Sequence, residues 1–173
     1  MNNKKILIID DEIDIANNIR AILKDENYET SIAYNSTEAF NYITKNNYNL
    51  VILDVWLDNS ELDGIGILQK LRETSSTPVI VISGHGNIEM AVKAIKEGAN
   101  EFIEKPFSTE RLLLSVSRSI ELYEIKSEND LLKQKGIYDY KFIGNSISIN
   151  KVKNIIKKVA PTTSRVMIYG DSG

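Results

Sequence analysis

Cysteine is absent from the chain, and histidine and tryptophan occur once each, as His85 and Trp56. Without cysteine there is no disulfide and no thiolate metal site. A lone imidazole supplies neither a zinc centre of the Cys/His type nor a histidine-kinase helix. No apolar run approaches the ~20 residues that a helix needs to cross a bilayer. Met1 to Lys5 precede only the four-residue apolar run Ile6–Ile9, too short for the core of a secretory signal. Positive charge is not in excess: 21 Lys and Arg stand against 24 Asp and Glu, a net −3, so nothing points to a nucleic-acid surface. These absences lead us to expect a soluble, cytoplasmic protein with no membrane partner. With 173 residues, 42% of them hydrophobic, the chain has material for one full domain and a further piece.

What is present centres on Leu50-Val51-Ile52-Leu53-Asp54-Val55-Trp56-Leu57. An unbroken aliphatic run reads as a strand buried on both faces, as in a parallel sheet. A carboxylate inside such a strand is costly to bury unpaired. At the strand's carboxyl end, however, Asp54 stands where α/β sheets open their ligand crevice. Asp54 is therefore a candidate reactive carboxylate; a plain cap of the following turn is the alternative.

The rest of the chain repeats one unit. Ile6–Ile9 reads as a strand, followed by Asp10, Asp11 and Glu12 and a helix with Ile15, Ile19, Ile22 and Leu23 on one face. Thr30–Ala33 is a short strand, and Ser36 is expected to cap a helix carrying Ala39, Phe40 and Ile43. After the Asp54 strand and a polar loop, Gly64 opens a helix with Ile65, Leu68 and Leu71. Val79–Ile82 ends in Ser83-Gly84-His85-Gly86, and a helix with Met90, Ala91, Ala94 and Ile95 stops at Gly98. Phe102-Ile103 precedes Lys105-Pro106, and a long helix begins at Ser108 or Thr109. Five β-α units with right-handed crossovers predict an α/β, flavodoxin-like (CheY-like), doubly wound five-stranded parallel sheet of order 2-1-3-4-5 with an extended C-terminal helix. The site is then expected between the first and third strands, which brings Asp10, Asp11 and Asp54 together. Three carboxylates in one crevice repel unless a cation sits among them, and an all-oxygen set with room for water suits Mg²⁺. Ser83 and Lys105, ending the fourth and fifth strands, add a hydroxyl and an ammonium, the groups a phosphoryl oxygen needs.

With these residues in order, residues 4 to 121 resemble the receiver domain of bacterial two-component response regulators. The resemblance rests on Asp10-Asp11, Asp54, Ser83 and Lys105-Pro106-Phe107. It implies that a sensor histidine kinase phosphorylates Asp54. It further implies that Asp11 and Asp54 hold Mg²⁺ directly, Asp10 acts through water, the Trp56 carbonyl completes the shell, and Lys105 pairs with the phosphoryl group. Lys105-Pro106 is expected to be cis, and Ser83 and Phe102 to form a hydroxyl–aromatic switch, although plain core is an alternative for Phe102. One departure is the turn Val55–Asp63, nine residues without proline and about two longer than usual. This turn and Ser-Gly-His-Gly are similar to the NtrX branch of NtrC-type regulators, which implies an NtrY-like kinase. Asp58, Glu61 and Asp63 either shape kinase access or are solvated loop. His85 is a pocket gate or an exposed loop residue.

Beyond the receiver, Leu113, Val116, Ile120 and Tyr123 are spaced to pack on the sheet, and Leu122, Ile125, Asn129 and Leu132 form a second stripe. That stripe reads as a short a/d seam with Asn at an a position, a device that sets register in parallel dimers. At about two heptads it is too short to hold a dimer alone, so we expect a homodimer that also uses the fourth helix, fifth strand and fifth helix; a solvated connector helix is the alternative. Residues 142–173 resemble the opening of the AAA+ σ54-activator domain: a helix with Ile149, Val152, Ile155, Ile156 and Val159, a strand Val166–Tyr169, and Gly170 to Gly173 as an incomplete phosphate loop that lacks its Lys. The expected domains are a receiver over 1–121, a linker over 122–139 and a truncated ATPase start over 140–173. The polypeptide itself is then a phospho-acceptor, not an ATPase. Its control of σ54-RNA polymerase and DNA would run through C-terminal domains beyond Gly173. A phosphorylation-independent dimerisation module, and a phosphatase using an Asp nucleophile, are the rival readings.

Overall fold

The computed structural model describes residues 4–58, 60–84, 88–139, 144, 146–162, 165–167, 169 and 170, with side chains of 132–139 excepted. Two compact units meet between Glu128 and Asn129. In the first, strands β1 (Lys5–Ile9), β2 (Glu29–Ala33), β3 (Leu50–Asp54), β4 (Val79–Ser83) and β5 (Glu101–Glu104) form one parallel sheet of order β2-β1-β3-β4-β5. Helices α1 (Ile13–Asp25), α2 (Ser36–Lys45), α3 (Gly64–Thr74), α4 (Ile88–Lys96) and α5 (Thr109–Asp139) follow the strands in turn.

The unbroken apolar runs are explained by helices on both faces. Ile6, Ile8, Leu50, Ile52, Ile80 and Ile82 pack with α1 through Ala16, Ile19 and Leu23, and with α5 through Leu112, Val116 and Ile120. Their neighbours Leu7, Ile9, Val51, Leu53, Val79 and Val81 pack on the other side with Ala39 of α2, Ile65, Leu68 and Leu71 of α3, and Ala94 of α4. Strand alternation thus decides which core each residue joins.

Two local expectations are corrected. Asn35, not Ser36, caps α2: its side chain accepts from the Glu38 N–H at 2.9 Å, and a Glu38 carboxylate oxygen accepts from the Tyr34 N–H at 2.9 Å. Both residues are good caps, and Glu38, which also accepts from the Asn35 side-chain amide at 3.1 Å, favours the earlier one. On α5 Leu113 packs, partly buried, against the sheet core as expected, and its neighbour Leu112 is fully buried there as well. Val166, Met167 and Tyr169 lie outside any strand. A strand needs a neighbour for its backbone groups, and the described residues of the second unit contain none.

That unit holds α6 (Ile147–Val159), capped by Ser146, whose hydroxyl accepts from the Ile149 N–H. No residue of α6 is buried. Among the described residues no helix is long and apolar enough to cross a membrane.

Candidate functional site

Parallel pairing places the site. Ile9 of β1 sits opposite Leu53 of β3, so the next residues, Asp10 and Asp54, emerge side by side at the carboxyl end of the sheet. Both are buried. Ser83, fully buried, ends the adjacent β4, and its carbonyl accepts from the Lys105 N–H at 2.8 Å. The Lys105–Pro106 peptide is cis. From β5 the Lys105 side chain reaches back over the strand ends, with Nζ 3.0 Å from Asp10 Oδ2, 3.2 Å from Asp54 Oδ2 and 3.3 Å from Glu12 Oε1.

The electrostatics follow from burial. Desolvation raises the Asp54 carboxyl to about 6, with Lys105 opposing the shift and the Asp10 charge adding to it. Desolvation raises Asp10 too, against the Lys105 hydrogen bond and charge and the Glu12 N–H. Burial alone would lower Lys105; the Asp10 hydrogen bond and the charges of Asp54 and Asp10 outweigh it, and its ammonium is held above the usual range. One cation therefore serves two buried anions, and the pocket is short of positive charge. Asp10, Glu12 and Asp54 each place a carboxylate oxygen within 4.8 Å of the others. Hard oxygens only, with two carboxyls that gain from an added cation, fit Mg²⁺.

Asp11 differs from its neighbours. Its Oδ2 accepts from the Asp58 N–H at 2.9 Å, so it faces the β3–α3 loop while lining the same open cavity of about 540 Å³ with Glu12, Asp54, Trp56, Asp58 and Gly84. Trp56 is half exposed there. Glu12 is the member that sequence reasoning left without a role; its position next to Asp10-Asp11 was the available signal. Gly64 is required by close approach: a Cβ there would collide with the Asp54 carbonyl oxygen.

Phe102 pairs with Val81 in register and packs, half-buried, on the face that also carries Val79. Ser83, two residues past Val81, belongs to that face by alternation, so the two residues expected to act as a switch are diagonal neighbours. Asp63 caps α3 through the Gly66 N–H at 2.7 Å. Leu122 and Ile125 are exposed, as is Asn129. The side chain of Leu132, the His85 loop and Gly173 lie outside the described residues; Gly170 is exposed.

A family model described as the response regulator receiver domain matches residues 6–117. A putative NtrX-like response regulator of Rickettsia bellii is 47% identical over 169 residues, covering 97% of this chain and 35% of that protein. The crystal structure of NtrX from Brucella abortus aligns with a TM-score of 0.77 at 41% identity, covering 94% of this chain and 36% of that one. The solution structure of the beryllofluoride-activated NtrC4 receiver domain dimer aligns at 0.65 and 42% identity, covering 69% and 98%. The chain spans about a third of the length of the curated relative it matches (35%).

Proposed function

The chain belongs to the response regulator receiver family, of the NtrX type, and on that premise we propose that it accepts a phosphoryl group from an NtrY-like sensor histidine kinase on Asp54. The observation that carries the proposal is the buried Asp54 carboxylate, beside Asp10 and bridged to it by Lys105 Nζ. Burial raises the Asp54 carboxyl to about 6 while the Lys105 charge opposes the shift, so the carboxylate is available as a nucleophile at pH 7. An Asp54 oxygen attacks phosphorus; the new O–P bond forms as the P–N bond to the kinase histidine breaks, and the leaving imidazole keeps the electron pair. Lys105 turns one of its N–H donors from the Asp54 oxygen to the phosphoryl oxygen. Asp11, Asp54 and the Trp56 carbonyl would hold Mg²⁺ directly, with Asp10 acting through water, and the cation would supply positive charge against the phosphoryl oxygens. Glu12 belongs to the same acid set. Ser83 then donates to the phosphoryl group, and Phe102, on the same face, moves into the space left behind.

The output is a change in homodimerisation. Exposed Ile88, Val92 and Ile95 on α4, and Leu122 and Ile125 on α5, support this, as does the dimer among the similar solved structures. In this reading residues 1–121 are the receiver, 122–139 the dimer linker and 140–173 the start of an attached AAA+ σ54-activator, through which polymerase and DNA are reached. The polypeptide is a single-turnover phospho-acceptor rather than a multiple-turnover enzyme, working in the cytoplasm.

The test is phosphorylation with acetyl phosphate and Mg²⁺, read by intact mass, with light scattering on the same samples. The parent should gain one phosphoryl group and change mass-average state; Asp54→Ala should do neither. Equal labelling of Asp54→Ala would contradict the proposal. The exposed α5 stripe favours one rival, a dimer indifferent to phosphorylation, and an unchanged dimer in both samples would select it.

A further inference from the structure

Among its described residues, the β3–α3 loop, Val55–Asp63, is held to elements other than its own flanks at three points, the first where the Val55 N–H donates to the Ile82 carbonyl of β4 at 3.0 Å. The Asp58 N–H donates to Asp11 Oδ2 at 2.9 Å. Two residues on, Ser60 Oγ accepts from the N–H of Ser36, the first residue of α2, at 2.9 Å. Leu57 is buried in the core under α2 and α3, and Leu62 packs against it. The N–H of Ser36 belongs to the first helical turn and has no partner inside α2, so the bond to Ser60 fixes the loop to a rigid element.

The acids of the site are oriented in two ways. Lys105 engages Asp10, Glu12 and Asp54. Asp11 is oriented by the loop, through Asp58. We propose that Ser60 is a positioning residue: by anchoring the loop to the amino end of α2 it keeps the Asp58 N–H on Asp11 and presents the Asp11 carboxylate to the cation. The described loop residues Asp58 and Ser60 then form a wall of the site set from α2. The inference rests on the reading of the pocket as a Mg²⁺ site.

Trp56, in the same loop and lining the same cavity, reports the outcome. Mg²⁺ would be titrated into the full chain while Trp56 fluorescence and anisotropy are followed. Losing one orienting hydrogen bond predicts that Ser60→Ala weakens Mg²⁺ binding about three- to tenfold and lowers Trp56 anisotropy before Mg²⁺ is added; Ser60→Thr, which keeps the hydroxyl, should restore both. Asn35→Ala is the structural control. It removes the other acceptor at the start of α2 (the Asn35 side chain serving the Glu38 N–H), and should lower thermal stability about as much while leaving Mg²⁺ affinity within about twofold. Parent-like Mg²⁺ affinity in Ser60→Ala overturns the inference and leaves the site reading intact. Equal weakening by Asn35→Ala also overturns it, since a general loss of α2 would then be the cause. No Mg²⁺ response in the folded parent removes the site reading itself.

Discussion

Asp54 is held in tension by its surroundings: the position that exposes it to a donor also strips it of water, and Lys105 is shared with Asp10. A group whose folded value lies above its unfolded value binds a proton more readily in the folded state. Its contribution to stability therefore falls as pH rises through the window from about 4 to about 6, and is constant above it. In metal-free buffer, Asp54→Asn should stabilise the chain by about 1–3 kcal/mol at pH 7, and the gain should vanish below about pH 4. Thermal melts of both proteins across pH check this; a gain that is independent of pH would refute it. Mg²⁺ should raise the melting temperature of the parent and leave that of Asp54→Asn nearly unchanged. Gly64 is the complementary case, a residue that matters for what it lacks. Its missing Cβ gives the Asp54 carbonyl its space, so Gly64→Ala should cost about 2–4 kcal/mol by forcing backbone apart at the site, read as a lower urea midpoint together with weaker Mg²⁺ binding. The residues of the pocket were legible because each stands at a strand end, and strand ends follow from apolar runs. What was not legible is partner choice: Glu12 joining Lys105, and Asp11 turning to Asp58, depend on loop geometry that no periodicity encodes.

At the scale of elements, β1, β3 and β4 were readable to within a residue because both faces are covered and no polar position interrupts the run. β2 and β5 sit at the sheet edges, where only Ile32, Ala33 and Ile103 are buried, and their ends also lie within a residue of the apolar residues that marked them. How the helices are tied at the opposite end of the sheet was invisible in sequence, and Arg72 shows why. Its half-buried guanidinium donates from Nε to the Gly98 carbonyl at 3.0 Å and from Nη1 to the carbonyls of Ser75 at 3.2 Å and Thr77 at 2.8 Å. It thereby joins the end of α3, the entry to β4 and the turn after α4, where Gly98 adopts φ +100°. Desolvation lowers its affinity for the proton, yet the charge is kept, because arginine stays protonated at any ordinary pH. Arg72→Met would leave carbonyls unserved and should destabilise by about 2–4 kcal/mol, with an unchanged urea m-value. Arg72→Lys should recover less than half of that, since one ammonium does not reproduce the fork. Full recovery by Lys would show that charge rather than geometry is what the three connections need.

Considered as a whole, the chain distributes its stability unevenly. Every buried hydrophobic residue among those described lies between Ile6 and Ile120. The Lys4–Glu124 ion pair at 2.7 Å and the Ser76–Tyr123 hydroxyl contact at 3.3 Å extend the first unit a little further along α5. The second unit offers α6, with Ile147, Val152, Ile155 and Ile156 exposed. A helix with no buried face gains little from the hydrophobic effect, and at 13 residues it is marginal on propensity alone. Removing residues 129–173 should therefore leave the melting temperature of the first unit within about 2 °C, a change of at most about 1 kcal/mol. Mg²⁺ affinity should be unchanged, because every acid of the pocket, Asp58 included, and Lys105 lie in the first unit. Calorimetry of the shortened and full chains decides the matter. A fall of more than about 5 °C in the shortened chain would mean that the second unit supports the receiver core, and the division of labour proposed for the two units would have to be abandoned.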